Sequence, residues 1–186
     1  MEKDKIKENL KKAIAELLEK DWWLLQQDLN ERSISHRLAL YLETLFPDYE
    51  VDCEYNGDVT EGNYGRKRIK FLREKLDELH KLTIRERGYD EEIISKTVYP
   101  DIVIHKRGCN ERNLFIVEIK KSTNKRPEER EFDLEKLSAY TSDYWGNHLR
   151  YEIGIFIDFA TRDSFKKGCF EENFELEFFQ DGNKSN

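Results

Sequence analysis

The chain has 186 residues, with apolar and charged residues each at 38% and a net charge of −7. That length suits one domain able to bury roughly 70% of its unfolded surface, so no disulfide staples are required. Aromatics at 12% exclude a disordered tract, the few Gly and Pro exclude collagen-like and linker-rich classes, and the acidic total weighs against a general nucleic-acid coat protein.

Residues 4–19 read as an amphipathic helix, with Ile6, Leu10, Ile14, Leu17 and Leu18 on one stripe. Trp22, Trp23, Leu24 and Leu25 continue the apolar signal, and Trp22 and Trp23 read as core or interface anchors rather than base-stacking residues. A second helix is expected from 31 to 46, N-capped by Asn30 and stopped by Pro47. Tyr49 to Tyr55 alternates as a strand that Asn56-Gly57 ends. A third helix is expected over 66–82, on a seam of Ile69, Leu72, Leu76 and Leu79 that packs on the first helix or forms a dimer. Two strands follow, Val98–His105 and Leu114–Lys120, with a hairpin turn at 108–111. A polar stretch leads into a helix at 131–145, then a strand Tyr151–Phe159 and a short strand Phe174–Phe179. The runs FIVEI and IGIFI are apolar on both faces, as central strands covered by helices should be. This order describes an α/β sandwich around a mixed sheet.

Cys53, Cys109 and Cys169 are odd in number and show no CxxC spacing, which points away from disulfide scaffolds and zinc ribbons. The opening MEKDKIKENLKK is too charged for a secretory signal, and no apolar run approaches a membrane span. A cytoplasmic location without membrane contact is the expectation. Charge is uneven: residues 63–87 carry nine bases against four acids, either a solvated face or a phosphate-contacting arm. The histidines show no ligand spacing, and His105 reads as a satisfied strand residue.

The informative residues are Pro100-Asp101 and Glu118-Ile119-Lys120, charged groups set in otherwise apolar strands. Burying such groups without partners costs several kcal/mol, so an ion pair, a metal or an open site edge must hold them. Directly opposed residues of an antiparallel hairpin share a constant index sum. A turn centred between Cys109 and Asn110 places Asp101 across from Glu118 on one face, and Lys120 shares that face. A one-residue slip would break the alignment. On the helix from residue 31, Ile34, Leu38, Leu42 and Leu45 form the buried stripe. Glu31 falls in it, with Ser35 one turn along; Glu31 either joins the site or serves the helix dipole.

Pro100, Asp101, Glu118 and Lys120 resemble the motif of the PD-(D/E)xK nuclease superfamily. NERSISHRLALYL and DLEKLSAYT look like segments of its small uncharacterised bacterial members. The resemblance covers about 30–160 of a single domain, with the helical region 4–25 and a helical insertion at 63–95 as additions. It implies a restriction-endonuclease-like αβββαβ core, a mixed sheet flanked by helices. It further implies Mg²⁺-dependent phosphodiester hydrolysis, with Mn²⁺ as a substitute. Asp101, Glu118 and the Ile119 carbonyl would bind metal, joined by Glu31. Lys120 would orient or deprotonate the attacking water or stabilise the transition state; the base role requires a depressed pKa, for which Lys121 is a candidate neighbouring cation. Lys136 either touches substrate or is a solvated lysine, and Asp133 and Tyr140 flank it; Lys121, Tyr140 and Ser35 complete the candidate substrate contacts. DNA is favoured over RNA, and cutting both strands would require a homodimer. A catalytically inactive module that binds nucleic acid or a protein is the alternative, and Glu118 with Lys120 could be a structural ion pair.

Overall fold

The structure, a computed structural model, describes residues 3–60, 63–88 and 90–185. The first helix, α1 (Lys3–Lys20), is followed by the short α2 (Trp22–Gln26) and by α3 (Glu31–Leu45). Asn30 caps α3 by accepting the Ser33 amide, so the helix begins at Glu31. Then come β1 (Glu50–Cys53), β2 (Gly57–Thr60), β3 (Asn63–Arg66), β4 (Arg68–Leu72), α4 (Arg73–Glu78), α5 (Ile84–Arg87) and β5 (Ile93–Thr97). The chain continues through β6 (Ile102–His105), β7 (Phe115–Lys121), α6 (Pro127–Thr141), β8 (Ile153–Phe159), β9 (Phe174–Gln180) and β10 (Asn183–Ser185).

A six-stranded mixed sheet runs β1-β6-β7-β8-β9-β10, and two small ribbons, β2-β3 and β4-β5, stand apart from it. The β7-β8 pair is parallel, with α6 in the connection between them; the sheet's other pairs are antiparallel. Alternation along the central strands feeds two cores. Ile102, Ile104, Phe115, Val117 and Ile119 meet α1 and α3 through Leu10, Leu17, Leu38 and Leu42. Val103, Ile116 and Phe156 meet α6 and the β4-β5 ribbon through Leu137, Tyr140, Ile69 and Phe71. Each fully buried Leu, Ile or Phe contributes about 1.5–3 kcal/mol, so both sheet faces anchor their layers.

Several boundaries differ from the sequence reading. Of the expected helix over 66–82 only α4 (Arg73–Glu78) forms; before it β4 alternates in burial, with Ile69 and Phe71 inside, and pairs with β5 from Arg68↔Thr97 to Leu72↔Ile93. The heptad-like spacing is matched only by the short α4, and period 2 wins because residues 93–97 supply a ladder partner. The 63–95 insertion therefore mixes β3, β4 and the start of β5 with the short helices α4 and α5. The expected strand 98–105 begins only at Ile102, since Pro100 cannot donate to a ladder. The helix expected at 131–145 starts at Pro127, which suits the first helical turn, and ends at Thr141. The strand before Asn56-Gly57 ends at Cys53, and Gly57 opens β2.

Trp23 is 56% exposed and stacks edge-on against Trp22, so it is no core anchor. His105 is buried with Nε2 3.0 Å from Asp52, as a satisfied strand histidine should be. The three cysteines are free. Among the described residues, no helix is long and apolar enough to cross a membrane.

Gly154 on β8 lets α6 approach the sheet. A Cβ there would lie 3.2 Å from Phe179 Cβ and Thr141 Cγ2 and 3.3 Å from Leu137 Cβ, all close to their backbones. Gly154→Val is expected to cost about 1–3 kcal/mol through overpacking. Urea denaturation checks this, and an unchanged midpoint would contradict it.

Candidate active site

The hairpin register sets the geometry. Ile102↔Val117, Val103↔Ile116 and Ile104↔Phe115 all pair on one index sum, and its continuation puts Asp101 across from Glu118. Asp101 lies just before the start of β6, where its Oδ2 accepts the Ile119 amide at 2.7 Å. The carboxylate thus caps the strand pair where the regular ladder stops. Glu118 and Lys120 project from β7 toward α6, the face opposite Val117 and Ile119.

Helix α6 answers them with residues one turn apart. Lys136 Nζ lies 2.9 Å from Glu118 Oε1 and 2.6 Å from Asp133 Oδ1, while the other Asp133 oxygen pairs with Lys120. Glu31 arrives from the first turn of α3 with Oε2 3.7 Å from Lys120 Nζ. Glu118, Lys120, Asp133 and Lys136 are all buried, and Glu31 and Asp101 are partly so. Four carboxyls therefore share an enclosure with two ammoniums. The Tyr140 hydroxyl, one turn beyond Lys136, is buried with no hydrogen-bond partner among the described residues.

This imbalance shows in the titration of the acids. Burial pushes the Asp101 carboxyl up to about 6, against the pull of the Ile119 amide, Lys136 and Lys120. Burial drives Glu118 well above the usual carboxylate range; Lys136 opposes this, and Asp133 and Asp101 add to it. For Lys120, burial lowers the pKa, but Asp133, Glu31 and Asp101 outweigh it and raise the ammonium above its ordinary value. Lys136 is likewise raised, its desolvation overcome by Glu118 and Asp133.

Four expectations change. Lys120 lacks the depressed pKa that a general base requires, because the surrounding acids outweigh desolvation. Lys136 is not a solvated lysine: it is buried and clamps Glu118. Lys121 points to the opposite face, where its Nζ lies 2.9 Å from Asp28 Oδ1 and donates to the carbonyls of Asp28 and Leu29. It locks the loop before α3 and adds no charge to the site. Ser35 is buried, its hydroxyl donated to the Glu31 carbonyl at 2.8 Å, so it steadies the helix turn rather than facing a substrate. Asp133, which the sequence places only as a neighbour of Lys136, belongs to the cluster itself, and its i, i+3 spacing from Lys136 sets both on one helix face.

Among the described residues, no group of three or more His, Cys, Asp or Glu side chains could hold a metal ion. The remaining donors still fit a hard cation in their chemistry. Asp101, Glu118 and the Ile119 carbonyl supply oxygen, and the cluster's excess of two carboxyls over ammoniums leaves room for added positive charge. Compared with known proteins, the chain matches no family model, no curated protein and no solved structure.

Asp101 has a folded-state pKa raised from 3.8 to about 6. Its contribution to stability is present below pH 3.8 and lost as pH rises through about 6. Asp101→Asn, which keeps an acceptor for the Ile119 amide, is expected to be more stable than the parent at neutral pH, with the gap closing toward pH 4. Chemical denaturation across that window checks the sign; a variant less stable at neutral pH would contradict it.

Proposed function

We propose that the chain is a metal-dependent nuclease hydrolysing phosphodiester bonds of DNA, on a restriction-endonuclease-like core made of α3, β1, β6, β7, α6 and β8. The observation that carries this is the placement of Asp101 across from Glu118, with Lys120 two residues further on the same face. The order helix, three antiparallel strands, helix, parallel strand accords with that reading.

Asp101, Glu118 and the Ile119 carbonyl would hold Mg²⁺ or Mn²⁺, with Glu31 at the rim. The bound ion would lower the pKa of a coordinated water and offset charge developing on the phosphoryl group. Lys120, kept protonated by Asp133 and Glu31, donates to a phosphoryl oxygen instead of removing a proton from water. Lys136 orients Glu118 and offsets part of its charge. Asp133 holds both ammoniums so that neither drifts into solvent. The buried walls of α6 and the sheet keep these groups in a low dielectric, where each charge counts more than in water.

A second reading, a nuclease-fold module that binds nucleic acid without cutting it, is favoured by one feature. Glu118 and Asp133 are already paired with lysines, as in a closed structural network.

Purified wild type is expected to cleave DNA with Mg²⁺ or Mn²⁺, and Glu118→Ala and Lys120→Ala to lose about 10²-fold or more. Equal cleavage by all three proteins would mean a contaminant and sink the proposal. Titration calorimetry separates the two readings. Mg²⁺ binding that disappears in Glu118→Ala supports the enzyme, whereas nucleic-acid binding without any divalent-ion binding supports the module.

A further inference from the structure

Residues 63–72, in which β3 and β4 follow one another through Lys67, have a face that the chemistry above does not use. Along it, Lys67, Ile69 and Phe71 are buried, while Tyr64, Arg66 and Arg68 are exposed and Lys70 is partly so. Even-numbered residues thus form one outward stripe of an aromatic ring and three cations. Among the described residues, Arg66, Arg68 and Lys70 have no acid within ion-pair distance. Lys75, Lys96, Lys120, Lys121 and Lys136, by contrast, are all paired with carboxylates.

The stripe leads to the site through its partner strand. The β4-β5 ladder pairs Arg68 with Thr97, and the Val98 amide donates to the Lys67 carbonyl at 3.1 Å, which continues the same register. That register sets Tyr99 beside Arg66. Tyr99 is 53% exposed between the buried Val98 and Pro100, and Asp101 follows two residues later. Arg68 is held in place: its guanidinium donates to Ser95 Oγ at 3.0 Å, Thr97 Oγ1 at 3.1 Å and the Ser95 carbonyl at 2.7 Å. These are neutral acceptors, so its charge stays uncompensated while its orientation is fixed.

We propose that this outward face is the binding track for a single-stranded polynucleotide, DNA under the nuclease reading on which the identity of the strand rests. Arg66, Arg68 and Lys70 take the phosphates, and Tyr64 and Tyr99 offer ring faces to bases. An exposed ring can stack only on a base that is not already stacked in a duplex, and cations alternating with aromatics are the chemistry by which unpaired strands are held. Tyr99, adjoining Pro100-Asp101, would set the base next to the bond to be cut.

The test is fluorescence anisotropy with a labelled oligothymidylate and a duplex of the same length, using the full chain in chelator so that nothing is cleaved. Wild type is expected to prefer the single strand, with affinity falling steeply as salt rises. Arg66→Ala and Arg68→Ala should each weaken binding about tenfold at low salt and reduce the salt slope by about one. Tyr99→Ala should weaken binding about 5- to 100-fold with the slope unchanged, and Tyr99→Phe should restore it. Lys11→Ala, an exposed change on α1, should leave binding as in wild type. Undiminished binding by the arginine and Tyr99 variants, a preference for duplex, or equal weakening by Lys11→Ala would overturn the track. Failure of the nuclease reading looks different: wild type would bind the oligothymidylate through these residues yet cleave nothing when Mg²⁺ replaces the chelator.

Discussion

Four carboxyls and two ammoniums share one enclosure at the end of β6 and β7, and the surrounding structure is arranged to tolerate that excess of negative charge. Strand register supplies Asp101 and Glu118, and the first turn of α3 supplies Glu31. Helix α6 contributes Asp133 and Lys136 from adjacent turns, and Lys120 completes the set. Each isolated charge would be costly in an apolar interior, and the pairs reduce that cost without cancelling it. The residual strain is borne by Asp101 and Glu118, whose carboxyls are both shifted upward by burial. The cluster thus costs stability through two named groups.

Much of this was legible in the sequence because it depended on short-range regularities. Hairpin register follows from turn position and alternation, so one assumed turn centre placed Asp101 across from Glu118. Asn30 and Pro47 bracketed α3, and the hundred-degree step of a helix put Glu31 on the core-facing stripe. The first half of the helix expected over 66–82 is a strand because its pairing is long-range. Ile69, Leu72, Leu76 and Leu79 fit a helical seam as well as residues 68–72 fit a strand, and only the partner at 93–97 decides between them. Lys136 was ambiguous for a related reason. Nothing local distinguishes a solvated lysine from one meeting a carboxylate that lies 18 residues away, at Glu118.

Adjacent lysines on β7 show how much work alternation performs at a strand end. Lys120 turns toward α6 and grips acids of the site, while Lys121 turns the other way and ties down the loop that precedes α3. Asp28 in that loop takes a left-handed backbone conformation with φ of 53°, and its carboxylate is shared among Lys121, Thr123 and Arg162. The loop is thereby fixed on one side of the strand, and Glu31 emerges from it to reach the other.

The connection from β7 into α6 also bears on the order in which the chain acquires its geometry. Lys120 and Asp133 are separated by 13 residues, whereas Glu31 stands 89 residues ahead of Lys120. Closing a short loop sacrifices less chain entropy than closing a long one. The lysine–aspartate contact can therefore nucleate locally, while Glu31 joins only after α3 docks on the sheet. A partly folded chain would hold both ammoniums with Glu118 and Asp133 but without Glu31.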